Sequence, residues 1–228
     1  MTPLVQLYCK KLKLEDLDGF LAAEPEHIGW QLNFGKLTGG DRARAVEASV
    51  KISDRLRAEG VRSVFLIHPS TDLDAISGAV SAIQPDIFLA SAERDRETLA
   101  ALAAGGVSLM IPVGIPAASP IADYDPRAEA QSLSGLASWM TTDTINPEDS
   151  TKAFGCSGKT SDWPVMSEVI RSAPVPVVAA GGLNPNNVAA LWGLCQPRGM
   201  DAHTAVCTDG RPDREKSIAF AKAVRALS

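Results

Sequence analysis

The chain has 228 residues, with 22 Lys and Arg against 27 Asp and Glu and a formal net charge of -5. With 45% hydrophobic and 21% charged residues, its composition is that of a soluble globular protein and not of a disordered chain. The acidic balance and the lack of a basic run argue against a nucleic-acid partner, since phosphate-backbone binding rests on clustered Lys and Arg.

In chain order, an apolar run at residues 4–8 reads as a strand, followed by a helical stretch over 14–22. A second strand at 28–32 precedes a long helix from Asp41, as cap, through Glu59, with Gly60 as the stop. Strands at 63–67, 86–89 and 107–111 alternate with helices over 73–82 and 95–103. The stretch 98–122 carries no charge and is long enough on paper to span a membrane. Gly105-Gly106, Pro112 and Pro116 interrupt it, so it reads as a helix end, a turn and a buried strand, with no membrane partner. A helix over 128–136 leads to a strand at 137–142, and a helix over 162–172 to a strand at 175–179. A short helix over 186–191, a strand at 200–204 and a helix capped by Asp213 close the chain.

Eight apolar strands alternating with helices predict a parallel sheet covered by helices. Eight units favour a closed (β/α)8 TIM barrel of the α/β class, at the short end of that fold's size range. A doubly wound open sheet is the alternative, but it would carry a glycine-rich turn after the first strand, where Cys9-Lys10-Lys11-Leu12 stands. No linker divides the chain, so residues 1–228 read as a single domain. Four dispersed cysteines without a CxxC, and an N-terminus without a signal-peptide h-region, point to reduced thiols in the cytoplasm. His27, His68 and His203 form no ligand pair, so no metal is expected.

In such a barrel the active site lies at the C-terminal ends of the strands. That rule selects Cys9, Lys36, His68, Asp143, the Gly181-Gly182 turn and Thr204. Two glycine-bearing loops stand out: Gly155-Cys156-Ser157-Gly158-Lys159-Thr160 after strand six, and Ala179-Ala180-Gly181-Gly182-Leu183-Asn184-Pro185 after strand seven. In the second, Asn184 can cap a helix and Pro185 can take its first turn. Glycine allows backbone N–H groups to converge on an anion, so these loops together favour a phosphate. The spacing in GCSGKT is not that of a P-loop.

The segments GCSGKTSDW, PVPVVAAGGLNPNNV and GMDAHTAV closely resemble the phosphoribosylanthranilate isomerase family of tryptophan biosynthesis, whose motifs read GGTGKTFDW, AGGLNPENV and GVDVSSGVE. The N-terminal LYCKKLKLEDL also fits that family's KICGLTRPEDA, with Cys9, Glu15 and Asp16 in register. The resemblance implies an Amadori rearrangement of an N-(5-phosphoribosyl) amine without cofactor or metal, by a monomer or a homodimer. It implies Cys9 as general base and Asp143 as general acid. It places the phosphorylated sugar against Gly155, Ser157, Gly158, Ala180, Gly181, Gly182, Thr204 and Ala205.

The departures cluster at the aromatic end of such a substrate. The family's SPR after strand two, whose Arg meets the anthranilate carboxylate, is replaced by Asn33-Phe34-Gly35-Lys36-Leu37-Thr38, leaving Lys36 as the candidate cation. The family's Gly after the catalytic Cys is Lys10, its QLHG at strand four reads Phe88-Leu89-Ala90-Ser91, and its SGVE reads Thr204-Ala205-Val206-Cys207. These changes predict a substrate other than phosphoribosylanthranilate. Two other classes fit such a barrel. A lyase would carry a Schiff-base Lys at a strand end, which no predicted strand has. A non-catalytic metabolite-binding barrel would tolerate loss of Cys9 and Asp143.

Overall fold

The computed structural model describes residues 2–117, 121, 123–145 and 160–227. Eight parallel strands close in sequence order into a barrel. They are β1 (Leu4–Tyr8), β2 (His27–Asn33), β3 (Arg62–His68), β4 (Ile87–Leu89), β5 (Leu109–Pro116), β6 (Trp139–Ile145), β7 (Val177–Ala179) and β8 (Gly199–Ala202). The helices on the outside are α1 (Leu17–Leu21), α2 (Gly39–Ala58), α3 (Leu73–Ile83), α4 (Arg96–Ala104), α5 (Pro126–Leu133), α6 (Trp163–Ser172), α7 (Val188–Leu194) and α8 (Arg214–Arg225). A hairpin of β9 (Cys207–Thr208) and β10 (Arg211–Pro212) lies between β8 and α8. This is the (β/α)8 TIM barrel that the alternation of elements predicts.

The strands are apolar on both faces because both are covered. Val5, Leu7, Ile28, Trp30, Phe65 and Ile67 belong to the large core shared with the helices. Leu4, Tyr8, Val64, Ile87, Leu89, Met110 and Val178 form a second, smaller cluster inside the barrel. The two sets alternate along each strand, as period-2 geometry requires. Gly29 makes room for the inward Tyr8: a Cβ there would stand 2.5 Å from Tyr8 Cδ2.

β5 runs past the predicted end at Ile111, through Pro112 to Pro116. The carbonyls of Ser108 and Met110 accept from Phe88 and Ala90 on the β4 side. By alternation, Pro112 and Pro116 turn the same edge outward beyond the point where β4 has stopped. A missing N–H costs no ladder bond there.

Asp72, Asp95, Asp125, Asp162 and Asp213 each accept a backbone N–H in the first turn of the helix they precede. The cap expected at Asp41 is different. The helix already begins at Gly39, and Asp41 lies in its first turn, paired with Arg44. Asn184 does not cap α7 either. Its Oδ1 accepts from Asn186 N at 2.9 Å, closing a separate turn before the helix starts at Val188. The uncharged stretch divides into the end of α4, a turn and β5, as predicted. No helix among the described residues is long and apolar enough to cross a membrane.

Candidate active site

At the C-terminal mouth of the barrel lies a cavity of about 630 Å³. The inward parity of the strands determines its walls. β1 and its extension contribute Gln6, Tyr8 and Lys10; β2 contributes Gln31 and Asn33; β6 contributes Thr141 and Asp143. Asp201 and His203 come from β8 and the residue following it.

This alternation overturns the expectation for Cys9. Its side chain has the parity of Val5 and Leu7, belongs to the core against the helices, and is fully buried outside the cavity wall. Its Sγ donates to the Gly210 carbonyl, at 3.3 Å, in the hairpin behind the sheet. A hydrogen bond with the neighbouring Cys207 thiol, opposed by burial, lowers the Cys9 pKa, but the thiol does not reach the space where a substrate would sit. The inward neighbours are Tyr8, whose hydroxyl donates to Gln31 Oε1 at 2.9 Å, and Lys10 at the rim.

Asp143 stands where it is expected, within the last turns of β6, facing the cavity. Its Oδ1 accepts from the Thr144 N–H at 2.8 Å. Burial pushes its carboxyl up to about 6, against the opposing pull of that N–H and of the Lys10 charge. A carboxyl held near neutrality can donate a proton at physiological pH.

Lys36 lies at the exposed rim, in the turn after β2, and lines the cavity. Arg42 is the nearest guanidinium in sequence, and it is committed elsewhere. It donates to the Phe34 carbonyl at 2.9 Å and lies over the Phe34 ring. His68, selected by the strand-end rule, ends β3, lines the cavity and pairs with Glu93 at 2.9 Å.

Ala180, Gly181, Gly182, Thr204 and Ala205 all line the same cavity. Gly181 and Gly182 have φ of +105° and +75°, which side chains rarely tolerate. A Cβ on Gly181 would also fall on Ser161 Oγ and Thr144 Oγ1. Among the described residues the Gly181 and Gly182 N–H groups have no acceptor, whereas the Ala180 N–H donates to Thr142 Oγ1 at 3.1 Å. Ala180 therefore shapes the loop without offering its amide. Thr204 does not end β8; it opens a 3-10 turn over Thr204–Val206. Gly155, Ser157 and Gly158 lie outside the described residues.

Sequence reasoning missed Asp201, Gln6 and Tyr8. Asp201 Oδ1 accepts from Gln6 Nε2 at 3.0 Å, and Gln6 Oε1 faces His27 Nδ1 at 3.0 Å. A carboxylate inside the apolar strand Gly199–Ala202 was the available signal, since buried charge is costly unless it has a task.

The family model for N-(5'-phosphoribosyl)anthranilate (PRA) isomerase matches residues 148–223. A curated isomerase of that name from Dehalococcoides mccartyi is 37% identical over 92 residues, 40% of this chain and 41% of that protein's length. One from Azorhizobium caulinodans is 27% identical over 222 residues, 96% of this chain and 90% of the relative. The solved phosphoribosyl anthranilate isomerase of Thermotoga maritima superposes with a TM-score of 0.76 at 21% identity, over 99% of this chain and 100% of that one.

Proposed function

We propose, from the chain's similarity to phosphoribosylanthranilate isomerases and from the walls of its cavity, that it rearranges an N-(5-phosphoribosyl) amine of the phosphoribosylanthranilate type by Amadori chemistry. The observation that carries this reading is Asp143. Its carboxyl has a raised pKa and faces a cavity that is also lined by Gly181 and Gly182 of the loop after the adjoining strand β7.

The 5-phosphate would lie against those amides and the Thr204–Ala205 turn, fixing the sugar over the centre of the barrel. Asp143 would then protonate the ribose ring oxygen as the C1–O bond breaks, leaving an iminium at C1. Removal of the C2 proton gives the enolamine, which becomes the ketone. Lys36, with Lys10 on the adjoining wall, offers positive charge for the aromatic carboxylate, as point charges in place of a bidentate guanidinium. That substitution supports a weakened hold on anthranilate and leaves the sugar end intact.

The test is a fluorescence assay with freshly generated phosphoribosylanthranilate. Wild-type turnover, lost by about 100-fold or more in Asp143→Asn, supports the assignment. An inert wild-type protein whose melting temperature still rises with ribose 5-phosphate would replace it with another phosphosugar substrate.

A further inference from the structure

The Amadori reaction needs a base as well as an acid, and Cys9 is on the wrong side of the sheet. The register of the barrel supplies another group. Thr141 of β6 pairs with Val178 of β7, and Val178 pairs with Gly199 of β8. Two residues further along, Asp143 and Asp201 therefore stand at the same height on either side of Ala180, and all three line the cavity. Side chains of alternate strands share one layer in such barrels, so both carboxyls belong to one tier.

Asp201 is held in place from behind. Gln6 is its direct partner in the β1–β8 register and donates to Oδ1. An amide donates only through nitrogen, so Gln6 Oε1 must accept, and His27 must carry its proton on Nδ1. Burial, with the Arg62 and Arg198 charges, keeps His27 neutral by lowering its pKa to about 4. Ring stacking edge-on against Trp139, at 5.5 Å, completes the support.

Resting on the rearrangement put forward above, we propose that Asp201 is the second proton-transfer group of the cavity, working with Asp143 across the sugar, and that Gln6 is its positioning residue. The proton balance closes within the pair. Asp143 gives its proton to the ring oxygen as the C1–O bond breaks. Asp201 accepts the C2 proton as the C1=C2 bond of the enolamine forms. Asp201 then returns a proton to C1 while Asp143 takes the proton of the C2 hydroxyl, giving the ketone and restoring both groups.

Among the described residues, the groups facing the pair are few. Lys10 lies toward Asp143, Tyr8 and His203 stand between β1 and β8, and Lys36 and the His68–Glu93 pair are at the mouth. His203 is kept neutral by burial and by Lys10, with its pKa lowered to about 4. Burial and the Asp143 charge push Asp201 up to about 7, beside about 6 for Asp143. Two interacting carboxyls titrate as a unit, so between these values the pair holds one proton, mostly on Asp201, and the reacting form is the tautomer that carries it on Asp143.

The experiment is the pH profile of kcat/KM for wild type, Asp201→Asn, Gln6→Ala and Cys9→Ala, with ribose 5-phosphate thermal shifts to verify folded, ligand-binding protein. The expected wild-type profile is a bell between about pH 6 and 7. Asp201→Asn should lose kcat by about 100-fold or more while keeping the thermal shift. Gln6→Ala removes a hydrogen bond that favours the ionised form of Asp201, so its alkaline limb should move to higher pH; a merely structural role would leave both limbs in place. Cys9→Ala should retain wild-type turnover. Wild-type turnover that survives in Asp201→Asn but disappears in Cys9→Ala would overturn the proposal and leave the reaction standing. An inert wild type would overturn the reaction itself, and the role of Asp201 with it.

Discussion

Cys9 and Lys10 are neighbours in sequence and stand on opposite sides of the sheet. The motif similarity aligns a thiol with a thiol, while the alternation of Val5, Leu7 and Cys9 against Gln6, Tyr8 and Lys10 turns that thiol into the helix-facing core. Shifting a strand by one residue exchanges its faces, so a sequence alignment correct to within one position still misplaces a side chain completely. Cys9→Ala therefore has a structural cost, of about 1 kcal/mol for a small buried group, and no kinetic one. Chemical denaturation alongside steady-state kinetics separates the two. Lys36 is the opposite case, exposed at the rim and free to meet an anion. Loss of one charge-assisted contact in Lys36→Ala should raise KM about tenfold and leave kcat within a factor of about two. A fall in kcat at unchanged KM would place Lys36 in the chemical step instead.

At the scale of elements, the two ends of the barrel have separate tasks. At the N-terminal end, the Ser63 N–H and Oγ donate to Asp86 Oδ2 at 2.8 and 2.7 Å, and the Asp86 N–H donates back to Ser63 Oγ at 2.9 Å. This reciprocal clamp joins the starts of β3 and β4 far from the cavity. Ser63→Ala should lower the unfolding free energy by about 1–2 kcal/mol with unchanged kcat/KM, read from urea melts and the isomerase assay. Most of this architecture was legible in the sequence, because most strands are apolar runs bounded by turn residues and five helices begin with an Asp cap. Strand ends were less legible. Pro112 and Pro116 argue locally against a strand, and only the early end of β4 makes them acceptable in β5. Asp143, Lys36, Gly181 and Gly182 were legible because each follows or ends a strand and the motifs name the loops. Asp201 was not, since nothing in GMDAH shows that its carboxyl shares a tier with one 58 positions earlier until the register is known.

For the whole molecule, the cavity imposes a pH-dependent load on stability. Asp143 and Asp201 are raised from 3.8 to about 6 and about 7, so each binds its proton more tightly folded than unfolded. Their contribution is fully present below about pH 4 and is lost as the pH rises through 6 and 7. His27 and His203 act in the reverse direction: lowered from 6.5 to about 4, they add stability as the pH rises between those values. The two effects oppose one another across the whole range in which these four groups titrate, and their shifts nearly cancel. Wild-type stability should therefore change little from pH 5 to 8. The Asp143→Asn/Asp201→Asn double variant isolates the carboxylates, since it keeps both histidines. It should melt close to wild type at or below about pH 4, where both carboxyls are protonated folded and unfolded, and several degrees above it at pH 8, where wild type confines two charges in one cavity. A variant less stable than wild type at pH 8 would mean that the ionised pair is satisfied in the fold, and that its charge is not strain held for proton transfer.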